Sequence, residues 1–222
     1  MSHVEAPASL RARFELTTSR LVAGGREYEL LKPRSVDELI SEEDFAIDER
    51  IPYWADCWPS ARVLAERVSG LTGGGRDLLE LGCGIGLVAL AAAAAGFRVL
   101  ATDYYSEALE FTEANATRNG VENVDSRLID WRRLPDDLGT FDVVLAADVL
   151  YEKPQAALVA NVLAQALSPG GFALITDPGR RTAPSLIDEC STRGLAAVNL
   201  VEVPMVENDT PLSVWVYEVR RI

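Results

Sequence analysis

From Asp77 onward, short apolar runs alternate with longer stretches whose apolar residues recur at helical spacing. The runs predict strands at 77–81, 98–102, 124–129, 141–146 and 172–177. The stretches between and after them predict helices at 86–95, 105–118, 155–167 and 184–193. Such regular alternation is typical of a mainly parallel sheet with helices on both faces.

Two late extended runs, Ala196–Val203 and Leu212–Arg220, have no helical stretch between them. We therefore expect them to pair antiparallel at one edge of the sheet. The predicted fold is α/β, with a Rossmann-like, seven-stranded, mainly parallel sheet and an antiparallel last strand. Pro204–Pro211 is predicted to connect the two runs, either as a solvated loop or as a segment that contacts the substrate.

The first 70 residues lack this alternation, which predicts an N-terminal extension at 1–70 and a ligand-binding α/β domain at 71–222. Residues 14–31 predict a β-hairpin around Gly24-Gly25, and the capping-box spacing of Ser35 and Glu38 predicts a short helix near Val36. An aromatic segment follows at Ile51–Ser60, and Pro59 can begin a helix.

Composition narrows the classes of partner and of chemistry. The net charge of −13 argues against a nucleic-acid partner, since phosphate contacts require a basic surface. The acids at 41–50 predict either a solvated face or a lip that attracts a cationic substrate. No apolar run is long enough to span a membrane and Met1–Arg13 has no signal-peptide core, so we expect a cytoplasmic protein.

The chain has three cysteines and one histidine, His3. The cysteines have no metal-ligand spacing and cannot form an even disulfide framework, so no metal site is predicted. With a single histidine in the N-terminal tail, hydrolase chemistry of the Ser-His-Asp or Cys-His kind is excluded.

A glycine turn follows the first strand of the alternating region: Glu80-Leu81-Gly82-Cys83-Gly84-Ile85-Gly86. Its glycines permit backbone angles that other residues resist and let a ligand approach the main chain. The dinucleotide fingerprint G-x-G-x-x-G differs, because Leu87 stands where its third glycine would be. The other interpretation is a turn that only lets a helix pack closely on a strand.

Further candidates stand where other strands end, since ligands bind there in such sheets. Asp103, with Tyr104 beside it, lies 21 residues after Gly82 and could accept hydrogen bonds from both hydroxyls of a ribose. An NAD enzyme would also have an acid near this position, so Asp103 alone does not distinguish between cofactors. Asp130 could accept a proton of the adenine amine and Trp131 could pack beside the ring, although a plain strand-end acid is the alternative.

These segments together resemble known methyltransferases. Glu80–Gly86 resembles motif I of the class I (seven-β-strand) S-adenosylmethionine (AdoMet) methyltransferases. Asp148-Val149-Leu150-Tyr151 resembles the D-x-x-Y motif of the protein lysine methyltransferases in that class. Within that branch, the electron transfer flavoprotein β-subunit lysine methyltransferases have segments similar to Tyr53-Trp54-Ala55, Trp58-Pro59, Asp177-Pro178-Gly179-Arg180 and Ser213-Val214-Trp215, so that the resemblance covers about residues 50–220.

The resemblance implies AdoMet as the cofactor and Asp148 and Tyr151 as the catalytic residues that face a substrate amine. The cofactor-binding residues that it implies, together with those suggested by the turn and the strand ends, are Trp58, Glu80, Gly82, Cys83, Gly84, Gly86, Asp103, Tyr104, Asp130, Trp131 and Ala147. One departure puts the substrate in doubt: Ser60-Ala61-Arg62 stands where that subgroup commonly has two glycines and a glutamine.

The favoured function is an AdoMet-dependent N-methyltransferase acting on lysine side chains of a protein, with a protein similar to the electron transfer flavoprotein β-subunit as the candidate partner. Alternatives are methylation of a small-molecule amine or other metabolite, an NAD-dependent oxidoreductase, and a non-catalytic AdoMet-binding adaptor. The sequence leaves open the number of methyl groups added, the oligomeric state, and whether Asp148 acts as a base or only orients the amine.

Overall fold

The computed structural model describes residues 5–36, 39 and 52–222. Its helices are α1 (Ala8–Arg13), α2 (Pro59–Ser69), α3 (Leu87–Ala94), α4 (Ser106–Arg118), α5 (Lys153–Ala166) and α6 (Ser185–Ser191). Its strands are β1 (Leu16–Ala23), β2 (Arg26–Pro33), β3 (Asp77–Leu81), β4 (Arg98–Asp103), β5 (Val124–Leu128), β6 (Phe141–Ala147), β7 (Leu167–Asp177), β8 (Leu195–Glu207) and β9 (Thr210–Arg221). A short 3₁₀ turn at Tyr53–Ala55 precedes α2.

Seven strands form one sheet in the order β5-β4-β3-β6-β7-β9-β8. The pairs from β5 to β7 are parallel, whereas β9 is antiparallel to both β7 and β8. The predicted α/β fold, with its mainly parallel sheet and antiparallel last strand, is confirmed. The chain runs outward from β3 to β4 and β5 and then returns to form β6 on the other side of β3. This reversal of the strand order places a crevice at the carboxyl end of β3.

Two hydrophobic cores cover the two faces of the sheet. Alternation along β3 divides its side chains between them: Leu78 belongs to the core under α2, α3 and α4, while Leu79 and Leu81 belong to the core under α5 and α6. Because α3 contains mainly alanine and is buried almost throughout, it can lie close against the sheet. The turn before α3 is thereby held firmly in place.

The N-terminal hairpin of β1 and β2 packs against α4, as buried Tyr28 and Leu30 share a core with Phe111. The Asn115 side chain on α4 accepts from the Leu31 amide at 2.7 Å and donates to the Leu31 carbonyl at 3.0 Å. This confirms the predicted hairpin, while a domain boundary at residue 70 stays a prediction. The predicted helix near Val36 and the acids at 41–50 lie largely or wholly outside the described residues.

The predicted connection at Pro204–Pro211 is wrong. Strands β8 and β9 extend through almost all of it and meet at a two-residue turn, Asn208-Asp209. Both turn residues have positive φ, 48° and 60°, which Asn and Asp tolerate better than other non-glycine residues and which two-residue hairpin turns require. Near the tip, Glu207 forms an ion pair with Arg62 on α2.

Helix α1 occupies Ala8–Arg13, where no element was predicted from the sequence, and it buries Leu10. Strand β7 begins at Leu167, five residues before the predicted start, and continues through Gly170-Gly171. In the part of the chain that the structure describes, no helix is both long and apolar enough to cross a membrane.

Candidate active site

A cavity of about 670 Å³ opens at the carboxyl ends of the central strands. All thirteen residues predicted for the site line it: Trp58, Glu80, Gly82, Cys83, Gly84, Gly86, Asp103, Tyr104, Asp130, Trp131, Ala147, Asp148 and Tyr151. A smaller groove of about 280 Å³ lies between the N-terminal segment and α4 and includes none of them. The fold thus brings the predicted residues together, while their individual roles stay predictions.

The glycine turn between β3 and α3 forms the floor of the cavity. Gly82 has φ 69°, and a Cβ there would lie 3.1 Å from Val149 Cγ1 and 3.8 Å from the Trp131 ring. Gly86, with φ 92°, caps α3 and leaves no room for a Cβ, which would lie 2.8 Å from Thr112 Oγ1. Close packing against α4 therefore requires a glycine at position 86, whereas the approach of a ligand to the main chain at this turn stays a prediction.

Glu80 ends the apolar stretch of β3 and is only 2% exposed. Its carboxyl group accepts a hydrogen bond from the Ala89 amide in the first turn of α3, but its Oε2 has no hydrogen-bond partner among the described residues. Burial, and next the neighbouring Asp103, raise the pKa of Glu80 well above its usual range. This buried carboxyl group, with one oxygen that has no hydrogen-bond partner, suits a cationic ligand at this end of the cavity.

Asp103, at the end of β4, is held by main-chain amides. Gly84 donates to its Oδ2 at 3.0 Å and Tyr105 donates to its Oδ1 at 3.0 Å. Burial raises the pKa of Asp103, and these amides oppose the shift by favouring the ionised form. Each oxygen keeps a further lone pair, so that the carboxylate can still accept from a ligand hydroxyl.

Asp130 and Trp131 follow β5 at another edge of the cavity. The Arg132 guanidinium donates to both carboxylate oxygens of Asp130, at 2.8 and 3.0 Å, and holds the pKa of Asp130 below its ordinary value. Arg132 also lies over the Tyr104 ring, with Cζ 5.3 Å from the ring centroid. The Trp131 Nε1 is buried, and no described residue accepts from it. These groups could flank a planar heterocycle.

Asp148, at the end of β6, has φ 63°, a left-handed conformation that aspartate and asparagine tolerate better than most residues. Its amide donates to the Thr176 carbonyl at 2.8 Å, and its side chain is 8% exposed. Burial raises the pKa of Asp148, whereas the Arg180 guanidinium and the Ser60 hydroxyl oppose the shift. A carboxylate with these partners can form an ion pair with a cation bound in the cavity.

Arg180 is a site residue to which the sequence analysis gave no role. It follows β7 in the Asp177–Arg180 turn and forms ion pairs with both Asp148 and Asp177. The side chain of Asp177 is fully buried, while that of Arg180 is 31% exposed and lines the cavity. Two signals could have revealed it: its position just after a strand end, and its place in the Asp177–Arg180 segment that carries part of the resemblance.

Three aromatic rings that line the same cavity as Asp148 lie close together, and we call them the aromatic rim: Tyr53, Trp58 and Tyr151. The centroid of Tyr53 lies 5.4 Å from that of Tyr151 and 5.9 Å from that of Trp58. The Trp58 indole donates to the Tyr53 carbonyl at 2.8 Å. All three residues are about 40% exposed, so the rim forms a partly open mouth rather than part of the core.

Comparisons with known proteins agree with this geometry. Residues 78–171 match the family described as Methyltransferase domain. The electron transfer flavoprotein beta subunit lysine methyltransferase of Xenopus laevis is 30% identical over 174 residues, which cover 75% of this chain and 70% of that protein. The chain belongs to the class I AdoMet-dependent methyltransferases.

Other relatives broaden the range within that class. The ribosomal protein L11 methyltransferase of Ectopseudomonas mendocina is 30% identical over 147 residues, covering 64% of this chain but only 45% of that protein. The structure of a putative methyltransferase from Thermoplasma acidophilum superposes with a TM-score of 0.57 at 20% identity, covering 69% of this chain and 71% of that one. The latter likeness concerns the fold alone.

The cofactor of this class is AdoMet, and the residues present fit it. AdoMet carries two positive groups and no phosphate, which matches buried acids at the turn rather than a basic phosphate site. Glu80 and the glycine turn would accommodate its methionine part, Asp103 its ribose, and Asp130 with Trp131 its adenine. AdoMet supplies a methyl group that is already activated by a positively charged sulfur.

Proposed function

We propose that this chain is an N-methyltransferase that methylates lysine side chains of a protein substrate. The observation that carries the proposal is the placement of Asp148: a buried carboxylate that lines the same cavity as the glycine turn and the partly exposed aromatic rim. Such a site can draw a long aliphatic cation between rings and present its amine to the cofactor.

Each side chain then has a stated task. A free lysine amine has a pKa near 10.4, so the amine must lose a proton before it can attack. Asp148 orients the amine, and Tyr151 with its rim partners surrounds the aliphatic stem. Most of the acceleration comes from holding nucleophile and methyl carbon in line at about 3 to 3.5 Å. No histidine is required.

Two further observations support a protein as the acceptor. The cavity is open at the aromatic rim, so a side chain can enter while the rest of its protein stays outside. The net charge of −13 favours a basic segment around the target lysine. Two relatives are also named for methylation of proteins, namely electron transfer flavoprotein beta subunit and ribosomal protein L11.

The test is transfer of a tritiated methyl group from AdoMet to a lysate of the source organism. We expect label in a protein band, and acid hydrolysis of that band should release methylated lysine. Label that appears only among small molecules would contradict the protein proposal and favour the alternative, a small-molecule amine. Label in a different amino acid would contradict the lysine assignment.

Asp148→Asn serves as the paired variant, because asparagine also tolerates the left-handed backbone at this position. Transfer should fall at least about a hundredfold, while AdoMet affinity measured by calorimetry changes less than about threefold. Asp209→Asn is the control, since Asp209 has φ 60° and does not line the cavity. A fully active Asp148→Asn enzyme would refute the role of the carboxylate.

A further inference from the structure

The Asp177–Arg180 turn is built to aim one side chain at the acceptor end of the cavity. The Asp177 carboxylate accepts from the amides of Gly179 at 2.8 Å and Arg180 at 2.6 Å, which folds the chain back on itself. Gly179 has φ 85°, and a Cβ there would lie 3.2 Å from the Trp215 ring. The turn is thus fixed on both sides, and Arg180 leaves it toward Asp148.

Arg180 lies between two carboxylates. Its Nη1 is 3.0 Å from Asp177 Oδ2, and its Nη2 pairs with Asp148 Oδ1. The other groups that influence this pair are the Ser60 hydroxyl from α2, beside Asp148, and the Tyr217 phenol from β9, near Asp177. Tyr151 and Glu152 line the cavity nearby. With both acids ionised, the bridge carries a net charge of −1.

That net charge determines how strongly the site attracts an incoming protonated amine. A protonated lysine is still attracted, but Asp148 already shares its charge with Arg180. The ammonium is therefore stabilised less than it would be by an unpaired buried carboxylate, and its proton is lost at lower pH. A site that bound the ammonium too strongly would retain an amine with no lone pair to give.

We propose that Arg180 is a positioning residue for the transfer: it fixes the Asp148 carboxylate in the cavity and limits how strongly that carboxylate binds the protonated amine. This inference rests on the proposed function. The amine first releases its proton to water at the open rim. Its nitrogen lone pair then forms the bond to the methyl carbon while the carbon–sulfur bond breaks and leaves its electron pair on sulfur. Asp148 stays ionised throughout.

The bridge differs from an ordinary structural ion pair in its location. Arg193, for comparison, follows α6, pairs with Glu189 four residues earlier on that helix, and does not line the cavity. Arg180 instead links the ends of two neighbouring strands, β6 and β7, and contacts the carboxylate at the acceptor end of the site. Arg193→Gln is therefore a matched control for loss of an arginine.

The experiment measures the rate of label incorporation into the protein band between pH 6.5 and 9.5, at saturating AdoMet. For Arg180→Gln, we expect the half-maximal pH to rise by about one unit, so that the rate at pH 7 falls about tenfold and recovers at alkaline pH. Arg180→Lys retains the charge and should bring the half-maximal pH back toward that of the wild type. Arg193→Gln should leave the profile unchanged.

Each result has one meaning. An Arg180→Gln profile that coincides with the wild type, or a rate that is low at every pH, overturns the inference. If that variant does not fold by thermal melting, Arg180→Lys decides: an unshifted profile supports the inference and an upward shift of a full unit overturns it. Absence of any labelled band with the wild-type enzyme is a failure of the proposed function instead.

Discussion

The two ends of the cavity are built in different ways. The cofactor end depends mainly on backbone geometry: positive-φ glycines, the start of α3, and two main-chain amides that hold Asp103. At the acceptor end, side chains from separate segments meet, among them Tyr53, Asp148 and Arg180. The glycine turn at the cofactor end is one local stretch, whereas the acceptor end forms only in the completed fold.

This difference explains why the methyl donor is better established than the acceptor. A local turn retains its geometry in proteins with many acceptors, as relatives named for two different protein substrates illustrate. A site assembled from side chains can change its acceptor by single substitutions. The variants below test this contrast, and they are ordered from the largest expected effect to the smallest.

Asp103→Asn should have the largest effect on the cofactor end. The neutral amide loses the charge that strengthens hydrogen bonds to ligand hydroxyls, so AdoMet affinity should fall about 10- to 100-fold. Titration calorimetry measures the affinity, with Asp125→Asn on the exposed side of β5 as the control. An unchanged affinity would show that this carboxylate only supports the turn.

Gly86→Ala tests how far backbone geometry determines the cofactor end. A positive φ costs alanine about 1 to 2 kcal/mol, and the new Cβ would also lie 2.8 Å from Thr112 Oγ1. We expect a loss of about 2 to 4 kcal/mol in the free energy of unfolding, measured with urea. Gly120→Ala is the control, since Gly120 has φ 58° with nothing within 4 Å. Equal losses in both variants would contradict tight packing at Gly86.

Glu80→Gln should stabilise the protein in the absence of ligand while weakening AdoMet binding. Because the folded-state pKa of Glu80 is raised, its stabilising contribution is complete below the unfolded value near 4.5 and is lost as pH rises toward the folded value. At pH 7 the variant should therefore melt higher than the wild type, and the difference should shrink as pH falls toward 4.5. Thermal melting over a pH series measures it; a lower melting temperature at pH 7 would contradict the cost of burying this acid.

Tyr151→Phe should have the smallest effect, since the ring that lies 5.4 Å from Tyr53 is kept. Transfer should fall less than about tenfold, whereas Tyr151→Leu, which removes the ring, should lose more. Initial rates of label incorporation separate the two variants. A larger loss in the phenylalanine variant than in the leucine variant would assign the function to the hydroxyl instead of the ring.

Much of the fold was predictable because periodicity is local. The strand ends at Asp103, Asp130 and Asp148 were all found from short apolar runs, and the parallel sheet then brought them to one edge. The antiparallel pairing of β8 and β9 was predicted, but the connection was misjudged, because Asn208-Asp209 can make a turn as tight as a glycine pair does and Pro204 and Pro211 suggested an irregular loop. Strand pairing across a long hairpin compensates for both prolines.

The acceptor end was only partly predictable, for a physical reason. Ion pairs join residues far apart in sequence, such as Arg180 with Asp148 and Arg62 with Glu207. The sequence around either residue of such a pair does not indicate which distant residue of opposite charge it will contact. The departure at Ser60-Ala61-Arg62 illustrates the point: Ser60 lies beside Asp148 and Arg62 anchors the hairpin tip, which only the structure reveals.

The placement of the tryptophans has a practical consequence. Three of the four, Trp54, Trp58 and Trp131, line the cavity, at its floor, mouth and far edge. Their intrinsic fluorescence will therefore respond when the cavity fills, without any attached label. Since Trp58 is at the acceptor end and Trp131 at the cofactor end, replacing either one by phenylalanine would give a protein whose emission reports mainly on one half of the binding event.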